Sequence, residues 1–199
     1  MVGKVQHRRE ALRIKLIGIA EARIATAGLD AIRARDLARE ADCAVGAIYN
    51  VFADLRDLVM AVNGRTFQAL GKHVATALAG HESDSPTERL IVMSYAYLDF
   101  ASTHPQSWRA LFGVRMSTDM DVPDWYAAEL ERLFAHIARP VSECFPDMGP
   151  RDVDLMTRAL FSSVHGIVLL GLEKRISGVP HDQLRRMIAL VLNQATANR

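Results

Sequence analysis

Seven consecutive residues, Gly46-Ala47-Ile48-Tyr49-Asn50-Val51-Phe52, set a phenol beside a carboxamide on a segment otherwise made of small and apolar side chains. Tyr49 holds a hydroxyl on a rigid stem whose length suits a phosphate oxygen. Asn50 is the one side chain among Val45, Ala47, Asn50 and Val51 that makes paired hydrogen bonds, preferably to adenine. Val45 and Ala47 suit thymine methyl groups, and Gly46 lets a helix start close to a phosphate backbone. Four guanidiniums, Arg8, Arg9, Arg33 and Arg35, precede the stretch. Recognition of a polyanion is the chemistry these types imply. The competing reading is an ordinary helical hairpin with Tyr49 half buried.

Turnover has no comparable constellation. Cys144 and His165 are far apart in sequence and no motif joins them to a second catalytic group. The two cysteines, Cys43 and Cys144, lack metal-ligand spacing. We therefore expect no catalytic residue, no metal and no cofactor. The 199 residues suffice for one ordinary domain or two small ones, and half are hydrophobic. Net charge is +1, but residues 1–35 hold eight Lys/Arg against three acids, which leaves +5 there and −4 over the rest. A basic leading segment on a mildly acidic body suggests a polyanion contact at one end, and a solvated helix face is the alternative. MVGKVQHRRE has no apolar stretch after its charges, and no run approaches the roughly 18 apolar residues of a membrane span. A cytoplasmic protein without a membrane partner is expected.

The elements that must position these residues read as helices throughout. Leu12, Leu16, Ile17, Ala20 and Ile24 share one helical face, and Gly28 is a usual stop. A short helix over 34–41, a break at Asp42-Cys43-Ala44 and a second short helix over 45–51 follow. Two short helices joined by a tight turn form a helix-turn-helix, with Leu37, Ala38 and Ala41 facing Ile48 and Phe52. Later helices are expected from Asp54 to about 79, over 87–103, from Pro105, over 125–143 with a kink or stop at Pro140, over 151–176 and over 181–197.

Residues 8–60 resemble the N-terminal DNA-binding domain of the TetR family of transcriptional regulators. That family ends its first helix in Gly, carries an Ile/Leu-Ala pair, turns, and continues with Gly-x-x-Tyr-x-x-Phe. Here these are Gly28, Leu37-Ala38 and Gly46 to Phe52, followed by Leu58, without a gap. Tyr95–Phe112 and Ser162–Arg175 resemble the ligand-binding domain type known by a Trp-His-Gly motif, with Val164 in the Trp position and His165-Gly166 kept. The resemblance implies an all-α fold, with a three-helix helix-turn-helix domain at 1–55 and a helical ligand-binding and dimerisation domain at 56–199. It implies a repressor that binds a palindromic operator on double-stranded DNA as a homodimer and is released by a small, largely apolar effector. Arg8, Arg9, Arg33, Arg35, Ala44, Val45, Gly46, Ala47, Tyr49 and Asn50 are the DNA-facing positions it implies.

Three positions depart from the family pattern. Ala44 replaces the Ser or Thr that caps the recognition helix, a loss of about 1 kcal/mol, and Asp42 is a substitute if the helix start shifts. Arg33 replaces the Thr or Ser that opens the second helix. Asp54-Leu55 replaces a Ser-Lys pair, so one phosphate contact is missing, with Arg33 or Arg35 as replacements. These departures give the second reading, a helical adaptor that keeps the fold but has weak or no specific DNA binding.

For the remainder, the resemblance implies a four-helix dimer interface through Leu160, Val164, Val168, Leu169, Leu184, Ile188 and Val191, and the alternative is that these stripes are simply intramolecular core. The effector wall it implies is Tyr95, Leu98, Trp108, Phe112, Met116, Trp125, Phe134 and His165. Each of these types is more often plain core than ligand wall, and His165 inside an apolar run reads first as a satisfied core or interface histidine.

Overall fold

A computed structural model describes residues 2–114, 122–173 and 181–197. Among these residues there are nine α-helices and two short 3₁₀ turns, and no strand. They divide into two compact units, one of residues 2–68, 104–114 and 122–127, the other of 69–103, 128–173 and 181–197.

In the first unit, α1 spans Val2–Ala27, α2 Ala34–Ala41 and α3 Val45–Tyr49. The N-terminal part of α4 (Leu55–Leu78) and α6 (Pro105–Gly113) complete it. The expected stripe on α1 is realised, since Leu16, Ile17, Ala20 and Ile24 are buried in one core with Leu37, Ala38, Ile48 and Phe52. Gly28 stops α1 at φ 76, ψ −169, a conformation reserved for glycine, and its N–H still donates to the Ile24 carbonyl at 2.9 Å. Polar ties fix the helices further. Lys15 Nζ donates to the Ala41 carbonyl at 2.6 Å, where α2 exposes acceptors at its end. Arg23 bonds both Glu40 and the Ala31 carbonyl, and Arg65 reaches Glu21.

In the second unit, α5 (Pro86–Thr103), α8 (Pro150–Leu172) and α9 (Leu184–Thr196) pack on one another. Their inward faces repeat at helical spacing: Leu160, Val164 and Val168 on α8, and Leu184, Ile188 and Leu192 on α9. Five of the seven residues expected at a dimer interface, Leu160, Val164, Val168, Leu184 and Ile188, thus build the chain's own core. Val191 is exposed and Leu169 half-buried. The apolar side chains turned outward on these helices are Leu155, Leu170, Leu190 and Val191.

Two helices bear on expectations from the sequence. Helix α7 (Asp124–Cys144) runs through Pro140 without stopping. Proline removes one hydrogen bond there, but Pro140, Val141 and Cys144 are buried, and the packing of that turn outweighs the missing bond. Second, α8 is the one described helix long and apolar enough to cross a membrane by length and composition, with a mean hydropathy of 1.5 over its best window. Its inner face is nevertheless committed to α5 and α9.

Candidate functional site

The turn between α2 and α3 is made by backbone alone. Asp42 sits in the left-handed region at φ 54, ψ 53, and its N–H donates to the Ala38 and Arg39 carbonyls. Asp residues tolerate this conformation better than branched ones. Asp42 therefore ends α2 and does not cap α3. Ala44 is the N-cap of α3, in extended conformation, with no side-chain hydrogen bond. The cap predicted to be missing is missing.

Helix α3 separates its two faces cleanly. Ile48 and, just beyond, Phe52 are fully buried against α2 and α1, with the Arg13 guanidinium 5.4 Å above the Phe52 ring. Val45, Gly46, Tyr49 and Asn50 are exposed, and Ala47 lies between the two sets. Tyr49 is 48% exposed, which leaves about half of its surface open to solvent. A Cβ added to Gly46 would meet nothing within 4 Å, so nothing in the chain itself requires a glycine there.

Arg8, Arg9, Arg33 and Arg35 are all exposed and, among the described residues, have no ion-pair partner. Most other arginines of this unit are engaged: Arg39 on Asp36, Arg56 on Asp54, Arg65 on Glu21. Helix α4 opens with Asp54, whose carboxylate accepts the Asp57 N–H at 2.8 Å. That backbone donor, with Arg56, holds the Asp54 carboxyl below its usual range. Asp57 reciprocates by accepting the Ala53 N–H at 3.1 Å. Arg56 thus stands exposed beside Leu55, where the family places a lysine. This position is not legible in the sequence, because a cation one residue out of register carries no motif.

The expected effector wall is distributed over both units. Phe134 and His165 come together in the second, around Phe161: its ring lies 5.1 Å from Phe134 and 5.6 Å, stacked, from His165. Tyr97 completes this cluster, its hydroxyl 2.8 Å from His165 Nδ1. Burial pushes the His165 imidazole below its ordinary range, toward the neutral form. Tyr95 instead lies under the Arg185 guanidinium, which also grips Asp99, and Leu98 is interior core. Trp108, Phe112 and Trp125 belong to the first unit. Trp108 is buried edge-on to Phe112, and Trp125 is exposed, edge-on to Tyr126. Met116 lies outside the described residues. Tyr97 is an interior polar candidate already in the sequence, whereas Phe161 is less legible because a Phe on an apolar face reads as core.

A bihelical reader with an exposed Tyr-Asn face, backed by a helical second unit, defines the class of helix-turn-helix transcriptional regulators. The model of the family described as "Tetracyclin repressor-like, C-terminal domain" matches residues 90–194, more than half of the chain, and the chain belongs to that family. It is accordingly a DNA-binding regulator and not an enzyme. Similar solved structures include a protein with unknown function from Rhodococcus sp. RHA1, at 22% identity, 93% of each chain covered and TM-score 0.71. RolR in complex with resorcinol is similar at 20% identity, 98% of this chain and 97% of that one, TM-score 0.66. FadR from Bacillus subtilis in complex with stearoyl-CoA is similar at 15% identity, 92% and 97%, TM-score 0.65. At these identities the likeness is one of fold. No curated protein sequence matches the chain.

Proposed function

We propose that the protein is a repressor that binds a palindromic operator as a homodimer and lets go when a small, largely apolar effector binds. The division of labour is a reader over 1–55 and a sensing and dimerising part over 56–199, working in the cytoplasm. The observation that carries the reading is the outward face of α3, where Tyr49 and Asn50 are exposed beside an uncrowded Gly46, together with four arginines that have no ion-pair partner among the described residues. Tyr49 and the arginines supply phosphate contacts, and Asn50, Val45 and Ala47 meet base edges. The outward Leu155, Leu170, Leu190 and Val191 supply the dimer surface. Phe134, Phe161, Tyr97 and His165 supply an aromatic, sparsely charged sensor wall. Resorcinol, an aromatic diol, and stearoyl-CoA, with its alkyl chain, are bound by two proteins of similar fold and support a small-molecule effector with an aromatic or alkyl part.

The uncapped Ala44 and the Leu55 position favour one second reading, an adaptor without specific DNA binding. Nuclease protection across the DNA upstream of its own and the adjacent gene separates the two. The repressor reading expects a protected palindrome with half-sites about one helical turn or more apart. Equal, salt-sensitive binding to every duplex tried would establish the adaptor reading instead.

A further inference from the structure

Helix α1 begins well before the core it serves. From Gly3 to Ala11 every residue is exposed, and Leu12 and Arg13 are the first to be half-buried. Val5 is 68% exposed, and a Cβ on Gly3 would meet nothing within 4 Å. Arg13 and Lys15 mark where α1 passes the helix-turn-helix. The Arg13 guanidinium stands over the Phe52 ring just past α3, and Lys15 Nζ bonds the Ala41 carbonyl at the end of α2. Residues 2–12 run on beyond that level, an overhang of about 16 Å at roughly 1.5 Å per residue.

Local physics works against a helix there. Its first turn holds no acid, and cations near a helix start oppose the backbone dipole. Lys4 and Arg8 are like charges four residues apart, and so are Arg9 and Arg13, and such pairs repel on a helix. Glu10 is the only acid among residues 2–15, against five Lys and Arg. Lys4, Arg8 and Arg9 have no ion-pair partner among the described residues, whereas Arg23, Arg39, Arg56 and Arg65 of the same unit each hold a carboxylate. The overhang therefore carries uncompensated positive charge along its whole length. The complementary partner is an anion whose charges repeat over the same distance. Duplex DNA provides one, with about five base pairs in 16 Å at roughly 3.4 Å each.

We propose that the overhang of α1 is a backbone clamp, which lies along double-stranded DNA next to the bases covered by α3 and neutralises phosphates through Lys4, Arg8 and Arg9. The clamp rests on the DNA-binding reading and adds to it an extent of duplex and a division of roles. Helix α3 sets sequence preference, and the overhang adds affinity that is the same for every sequence.

The test is an anisotropy titration of the full chain with a labelled duplex of about 40 base pairs, repeated from about 50 to 200 mM salt. Replacing Lys4, Arg8 and Arg9 together by alanine should reduce the slope of log affinity against log salt by about 3, near 0.9 for each phosphate released. The ratio of affinities for two duplexes of different sequence should stay as in wild type. A control with Lys72, Arg132 and Arg151 replaced by alanine loses the same net charge from exposed positions of the second unit and should keep the wild-type slope. Both variants should melt with wild type, because the exchanged side chains are exposed. An unchanged slope in the α1 variant, an equal loss in the control, or a shifted ratio between the two duplexes would each overturn the clamp while leaving the DNA-binding reading in place. A wild type without salt-sensitive binding to any duplex would remove that reading and the clamp together.

Discussion

Tyr49 illustrates how much a single position carries. Its ring stands outward on a helix whose other side is locked by Ile48 and Phe52, so removing the hydroxyl changes nothing inside the chain. Tyr49→Phe should leave the melting temperature in place and weaken binding to all duplexes alike, because a phosphate contact has no sequence preference. Competition titrations with specific and non-specific DNA check this, and undiminished affinity would remove Tyr49 from the interface. His165 makes a different prediction at the same scale. Burial lowers its folded value, so the unfolded chain takes up the proton first, and stability is lost as pH falls below the unfolded value of about 6.5. His165→Gln, which keeps a hydrogen-bonding group toward Tyr97, should flatten the loss. Urea denaturation between neutral and mildly acid pH, wild type against variant, measures the difference.

At the scale of elements, the helix-turn-helix is held from behind rather than by its own caps. Helix α3 has five residues, far too few to be stable alone, and no side chain caps its start. Its place is determined by the core it shares with α1 and α2 and by the Asp42 turn. Ala44 is already in the extended conformation an N-cap requires. Ala44→Ser should therefore add about 1 kcal/mol of stability, read as a higher urea midpoint at unchanged slope. An unaltered midpoint would mean that the serine hydroxyl finds no α3 amide within reach.

For the whole molecule, the reading rests on association. One α3 offers Asn50 as its main polar reader, worth about 1–3 kcal/mol of discrimination per good contact, and two copies are needed to specify a site. On the proposed reading, the apolar residues left outside the chain's own core on α8 and α9 would form that pairing. Leu170→Glu combined with Leu190→Glu should yield a folded monomer by light scattering. That monomer should lose specific operator binding while Arg8, Arg9, Arg33 and Arg35 still support weak, strongly salt-dependent binding. A folded monomer with full operator affinity would end the dimeric reading.

Periodicity and one gapless motif were enough to read the helices, the helix-turn-helix and the family from sequence. Helical spacing reports which positions share a face, and Gly28 and Asp42 mark backbone breaks that few other residues permit. Spacing does not report what that face meets. Leu160, Val164 and Val168 have the same stripe whether a partner or α9 covers them, and only the fold showed that α5 and α9 do. Pro140 reads as a kink or stop because the cost of a proline is local, whereas the burial that offsets it comes from residues distant in sequence. The aromatic wall was spread across both units for the same reason, since contact with Phe161 depends on how α5, α7 and α8 pack. The pairing of Arg89 and Arg139 on Glu143 had no sequence signal. The two guanidiniums meet there only after α5 and α7 come together in the tertiary structure.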